Sequence, residues 1–304
     1  MTKYKTPKTE DLFEAGVHIG HQAKRWHPKM EPFIYSTENK VHVFDLEQTS
    51  DRLSKACEFL FEVAKKGGQI IFVGSKRQAS TPVKEAALKS GALYVTERWL
   101  GGTVTNFRMI KKNVDKLVNY LKKREDGSLQ KYTKKERLMI DREIEKLEKY
   151  VGGIVPLKGT PQAMVVIDPR KEKTAVREAV RAEIPIVALI DSNSDPTLVN
   201  YPIPGNDDAI KSITLIINTL ADAVEEGYKE SVRLADKVKA DADKAKADLD
   251  AAKEPAPLIV TSDAADEIIV AEEEKLTKTK IEPVTITKEL KGKKAEPEAK
   301  KVKK

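Results

Sequence analysis

The side chains with the widest chemistry sit near the start of the chain. His18 and His21 are three apart, a spacing that can bring both imidazoles to one face of a helical turn, and His27 follows shortly after. Zinc would need a fourth donor or an activated water, with carboxylates orienting the rings from behind. No HExxH pattern supplies them, so His18 and His21 are only weak metal candidates. They read instead as stacking or hydrogen-bonding groups of a polar loop, with no cofactor expected. The single cysteine, Cys57, rules out an intrachain disulfide and a multi-cysteine zinc site. It lies in a helical pattern and reads as a small buried side chain.

His18-Ile19-Gly20-His21 also spells the HIGH tetrapeptide with which class I aminoacyl-tRNA synthetases meet ATP phosphates. That motif belongs after the first strand of a nucleotide-binding sheet, whereas here it precedes every candidate parallel strand, and no KMSKS loop accompanies it. Three segments do follow apolar runs, where α/β proteins bind ligands: Gly74-Ser75-Lys76-Arg77, Asp168-Pro169-Arg170 and Asp191-Ser192-Asn193. None is GxGxxG or GxxxxGK[ST]. Asp168 and Asp191 read as caps and loop-formers, while Lys76, Arg77 and Arg170 suit a phosphate. No Ser-His-Asp order or carboxylate pair stands out. A nucleotide-dependent α/β enzyme using the HIGH segment is the alternative reading; the preferred one is non-catalytic, with no small-molecule substrate.

Cations interleaved with aromatics form the stronger pattern. Lys24, Arg25, Trp26 and Lys29 share one irregular stretch, and Arg98 precedes Trp99. Planar groups beside cations suit RNA, which offers phosphates and unstacked bases together. Trp99 is expected to pack the base of an arm instead. That arm begins just beyond it. Phe107, Ile110, Val114, Leu117 and Leu121 follow a 3-4-3-4 spacing, the seam of a coiled coil. Asp126-Gly127-Ser128 makes a turn, Thr133-Lys134-Lys135-Glu136 a capping box, and Ile140, Ile144, Leu147 and Val151 the partner seam. The glycine pairs 101–102 and 152–153 look like hinges at its root.

Charge singles out this hairpin. From Arg98 to Val151 there are 15 Lys or Arg against 8 Asp or Glu, a surplus equal to the net charge of +7 on the whole 304-residue chain. Residues 1–97 and 152–228 together carry 22 basic and 23 acidic residues, and the stretch from Lys229 carries 18 and 17. A projecting arm holding the whole excess would find a polyanion by electrostatic steering and bind through released counterions. Arg108, Lys111, Lys112 and Lys116 on its first helix are the expected contacts.

The elements that position these groups alternate. Ile70–Val73, Leu93–Val95, Met164–Ile167 and Ile186–Ile190 are short apolar runs separated by helical patterns, the mark of a parallel sheet covered on both faces. Phe33–Tyr35 and Val41–Phe44 predict a β-hairpin turning at Glu38-Asn39. Asp45 or Thr49 is expected to cap the next helix, and Asn206 or Asp207 a long one with Ile210, Ile213, Leu215, Ile217, Leu220 and Val224 inward. The expected organisation is a flexible arm over 1–9 and an α/β RNA-binding domain over 10–102 and 153–228. A coiled-coil hairpin is inserted at 103–152, and a disordered or helical low-complexity tail runs over 229–304. No apolar run reaches the roughly 20 residues of a membrane span, no signal-peptide core opens the chain, and a reducing, cytoplasmic setting is expected.

Several ordered motifs resemble one family. Leu12–His21, Arg25–Met30, Val41–Leu46, Phe72–Gln78, Arg98–Asn106, Ile190–Asn193 and Ile203–Ile210 are similar to segments of the bacterial small-subunit ribosomal protein S-two family, over roughly residues 9–228. The resemblance implies a flavodoxin-like doubly wound domain with a protruding coiled coil. It also implies a structural, non-enzymatic role on the ribosome. The expected partners are small-subunit rRNA and neighbouring small-subunit proteins, including the large messenger-binding one. Two departures stand out. His27 replaces an expected asparagine, and the chain runs on past Tyr228 beyond the usual family end.

Overall fold

Four- and five-residue runs without a polar side chain need a cover on both faces. The computed structural model, which describes residues 4–251, provides it. Strands β4 (Ile70–Val73), β5 (Leu93–Val95), β6 (Ala163–Ile167), β7 (Ile186–Ile190) and β8 (Tyr201–Pro204) form one sheet in the order β5-β4-β6-β7-β8. Every pairing in it is parallel. In chain order this is 2-1-3-4-5, the flavodoxin-like winding, with its switch point between β4 and β6. Side chains alternate between two cores. Ile70, Phe72, Val165 and Leu189 join residues of α2 (Leu46–Lys65), α3 (Arg77–Ser90) and α7 (Ile210–Ala251). Ile71, Val73, Val166 and Ala188 face the other way, onto α6 (Lys173–Arg181) and the root of a helical hairpin. Fully burying one such aliphatic side chain contributes about 1.5–3 kcal/mol.

A second, antiparallel sheet, β1-β3-β2, precedes this domain: β1 (Ile19–Gln22), β2 (Ile34–Glu38) and β3 (Val41–Phe44). The turn between β2 and β3 lies at Asn39 and Lys40, both at positive φ (49° and 66°), as a tight primed hairpin turn demands. Asp45 caps α2, accepting from the amides of Glu47 and Gln48. Asn206 caps the loop into α7, accepting from the amides of Asp208 and Ala209. Ile213, Ile217, Leu220 and Val224 are fully buried, but Ile210 is 59% exposed, because α7 begins there before it reaches the sheet.

Two strands depart from expectation. β1 lies in the stretch expected to be a polar loop. It is short, contains a glycine and has a register shift against β3. β8 contains Pro202 and Pro204, which normally argue against a strand. As an edge strand, bonded only to β7, it loses no ladder bond to them. The expected N-terminal arm touches the body within the described residues. Tyr4 is buried and rests on Phe61 with ring centroids 6.0 Å apart, and α1 (Thr9–Glu14) follows. Residues 1–3, and the expected tail from 252 on, lie outside the described residues.

The hairpin consists of α4 (Phe107–Glu125) and α5 (Lys134–Val151). The reciprocal capping box of Thr133 and Glu136 opens α5. Ile110, Val114, Leu117, Ile144 and Val151 are buried, and Phe107, Leu121, Ile140 and Leu147 pack against them. Lys116 and Tyr120 both reach Glu143 across the pair. At the return, a Cβ on Gly153 would run into the carbonyl oxygen of Tyr94, so glycine is what lets the chain come back against β5.

Candidate nucleic-acid interface

The arm is latched to the body by one carboxylate. Glu178, on α6 and largely buried, accepts from the amides of Gly102 (2.7 Å) and Val104 (3.1 Å) and from the indole of Trp99 (3.3 Å). The loop of residues 99–105 therefore folds around a side chain more than seventy positions later in the sequence. Trp99 is buried as expected, and neighbouring Arg98 is exposed. Beyond the latch, Arg108, Lys111 and Lys112 are exposed on α4 at i, i+3 and i+4, with Lys122 and Lys123 three turns further on. No ion-pair partner meets any of these five among the described residues. Lys116 differs: it is held by Glu143 and lies near the Tyr120 ring.

The N-terminal loop turns its cations onto the carboxyl ends of the parallel strands. Lys24 and Arg25 are exposed, and Trp26 is 37% exposed with its ring tilted against His42 at 5.4 Å. Arg25, Trp26 and His27 form one wall of a cleft. Arg170, Lys173 and Arg177 form the other, with Asn193 and Asp195 between. Lys29, grouped with this loop in the sequence, bonds Asp195 (3.2 Å) at the cleft and Thr197 (3.1 Å). Burial works against the Asp195 carboxylate, but Thr197 and Lys29 outweigh it and hold the group down at about 2. The strand-end segment marks Arg170 in the sequence as suited to a phosphate; no such segment marks Lys173 or Arg177. A charged i, i+4 pair on a short helix gives no signal until the fold sets it opposite residue 25.

The two weak metal candidates part company. His18 stacks on Phe13 (4.4 Å between ring centroids), and its burial lowers its pKa. His21 is drawn into the strand ends. Its amide donates to Asp191 (3.0 Å), and its ring lies 2.9 Å from Asp191 and 3.3 Å from Asp208. The hydrogen bond to Asp191 raises its pKa against the effect of burial. Lys76 is committed here as well, 2.7 Å from Asp207 and 2.6 Å from Asp208, and so is not available to a phosphate. One donor atom from each of His21, Asp191, Asp207 and Asp208 lies within 4.8 Å of the others. Such oxygen and imidazole donors are of the kind divalent cations take. The three carboxylates come from segments that no local spacing connects to His21. Asp168 takes a loop-former's part, accepting the amide of Lys171 (3.1 Å) at a positive φ of 59°.

The tetrapeptide His18–His21 thus contributes to an antiparallel strand and a carboxylate cluster, outside the context of a nucleotide-binding first strand. The comparisons with known proteins agree. The family model described as "Ribosomal protein S2" matches residues 12–227. The chain is 50% identical over 216 residues to "Small ribosomal subunit protein uS2" of Sorangium cellulosum, covering 71% of this chain and 78% of that one. It is 49% identical over 221 residues to the protein of the same name from Bdellovibrio bacteriovorus, covering 73% and 71%. With that of Pseudoalteromonas translucida the identity is 46% over 231 residues, covering 76% and 95%. The enzyme reading falls, and the chain belongs to the ribosomal protein S2 family, structural proteins of the small ribosomal subunit.

Proposed function

We propose that this protein holds small-subunit rRNA with the cationic stripe of its helical arm, seamed as a coiled coil, and with its N-terminal loop. Arg98, Arg108, Lys111, Lys112 and Lys116 are the arm-side contacts; Lys24, Arg25, Trp26 and Lys29 are those of the loop. The observation that carries this reading is the segregation of charge. The whole positive excess of the chain lies between Arg98 and Val151, on the hairpin and its root, and among the described residues the exposed cations of α4 have no side-chain partner apart from that of Lys116. Unpaired like charges in a row repel one another, and phosphates relieve that repulsion while releasing counterions. On the cytoplasmic ribosome the body, near neutral, is free to meet neighbouring small-subunit proteins and to help dock the large messenger-binding one. No helix among the described residues is long and apolar enough to cross a membrane.

The test is a double charge reversal, Lys111→Glu with Lys112→Glu. Both side chains are exposed, so the fold should be retained. The variant is expected to leave the small subunit at lower salt than the parent protein, and its binding to an rRNA fragment should show a flatter dependence on log salt, by about 0.9 per lost phosphate contact. Co-sedimentation that matches the parent across a salt series removes the arm from the interface.

A further inference from the structure

The cleft between the N-terminal loop and α6 is the feature that the arm model leaves unexplained. Its volume is about 400 Å³, within the roughly 300–1,000 Å³ of sites that enclose a small molecule or one residue of a polymer. Arg25 and Trp26 come from one wall and Arg170, Lys173 and Arg177 from the other. All four cations are exposed and none has an ion-pair partner among the described residues. The cleft's one carboxylate, Asp195, is already occupied by Lys29 and Thr197. Lys173 and Arg177 are also one turn apart on the same helix, where like charges destabilise. This is a positive site held open without an internal counterion.

Resting on the RNA-binding reading above, we infer that the cleft takes a nucleotide of single-stranded RNA, with its base on the exposed part of the Trp26 ring and the phosphates on either side of it on Arg25 and on the Arg170, Lys173 and Arg177 group. Three features favour this ligand. A free phosphate would need fewer than four cations and no aromatic ring. A duplex has its bases stacked inside, so Trp26 would have no base to meet, whereas an unpaired segment presents base and phosphates together. Cations on both walls are also what a strand passing through requires, since successive phosphates leave on opposite sides of a base. The arm presents Arg108, Lys111 and Lys112 along one exposed helical face rather than across a cleft, which suits a duplex backbone.

The experiment uses the full-length protein and a fluorescein-labelled oligo(A) RNA, followed by anisotropy over a salt series. Lys173→Ala with Arg177→Ala should weaken binding and lower the slope of log affinity against log salt by about 0.7 per cation removed, or about 1.4 in all. Trp26→Ala should weaken binding about five- to one-hundred-fold, the range of one base–aromatic stack. Trp26→Phe, which keeps a ring, should restore most of it. Lys111→Glu with Lys112→Glu should weaken binding of the rRNA duplex far more than binding of a short oligo(A). If the two cleft variants bind oligo(A) like the parent while the arm variant still loses the duplex, the cleft inference is overturned and the arm reading stands. If the parent protein binds neither RNA, both fail. Displacement of oligo(A) by AMP at equal nucleotide concentration would make this a mononucleotide site, and equal competition by polyglutamate would make it a site for acidic peptide. Either result overturns the inference.

Discussion

Asp207 is the residue at which the strand-end cluster is most exposed to pH. It is fully buried, and loss of solvent together with the negative neighbours Asp191 and Asp168 lifts it from its ordinary 3.8 to about 7, against the pull of Lys76. The folded state therefore binds this proton more tightly than the unfolded chain. Its stabilising contribution is complete below about pH 4 and is lost as pH rises towards 7. His21 acts in the same sense: held above its ordinary value by Asp191, it contributes stability below 6.5 that fades as pH climbs through its folded value. The carboxylates with depressed values, Glu136, Glu143 and Asp195, act below this window. Between about pH 5 and pH 7.5 the parent protein should lose stability, and Asp207→Asn should reduce that loss by about 1–3 kcal/mol. Urea unfolding at the two pH values measures it, and equal losses in parent and variant would remove Asp207 as the titrating group. No periodicity marks these residues out. His21, Asp191 and Asp207 meet only because β1 is laid across the ends of β7 and β8, so the cluster could not be read from spacing.

At the scale of elements, α6 is more important than its nine residues suggest. Its Glu178 organises the loop 99–105 and through it the start of α4. Glu178→Ala would leave the amides of Gly102 and Val104 and the Trp99 indole without their acceptor. At about 1–3 kcal/mol for a buried donor left unpaired, and with some recovery by water, the variant should lose about 2–4 kcal/mol. Amide exchange should speed up in residues 99–106 before it does in the sheet. Exchange that speeds up uniformly, or not at all, would mean that the loop does not depend on this carboxylate. How much could be read in advance follows from how local each cause is. The seams of α4 and α5 were legible because a helix states its buried face every three or four residues, and the four central strands because burial on both faces leaves a continuous apolar run. Thr133 and Glu136 announced their cap for the same reason. The strand β8 was hidden by Pro202 and Pro204, which make sense only once it is known to be an edge. The loop residues Lys24, Arg25 and Trp26 were legible as a group, yet their opposite wall, Lys173 and Arg177, comes from a stretch about 150 residues away. Glycine 153 was visible, but its reason, the Tyr94 carbonyl, was not.

Across the whole molecule, α6 is where the two cationic surfaces meet. One side of it presents Lys173 and Arg177 to the cleft, and Glu178 beside them fixes the root of the arm. A polyanion held at both places would gain from the linkage, since the second contact forms at a high effective concentration once the first is made. The distribution of charge makes this separable from simple basicity. Changing Arg108, Lys111, Lys112, Lys122 and Lys123 to Gln takes the net charge from +7 to +2, and all five are arm residues. Removing residues 252–304 deletes 12 basic and 11 acidic residues and lowers the net charge by only one, although that stretch ends in a lysine-rich run. If retention on a polyanion follows from cations held in a fixed array, the five-residue variant should elute from heparin at distinctly lower salt, while the shortened chain elutes close to the parent. Affinity falls with salt in proportion to the number of phosphate-like groups neutralised, so the first variant's binding should also show the shallower salt slope. An elution shift from the shortened chain as large as that from the arm variant would mean that the terminal lysines carry the polyanion, and the arm would lose its place as the principal electrostatic contact.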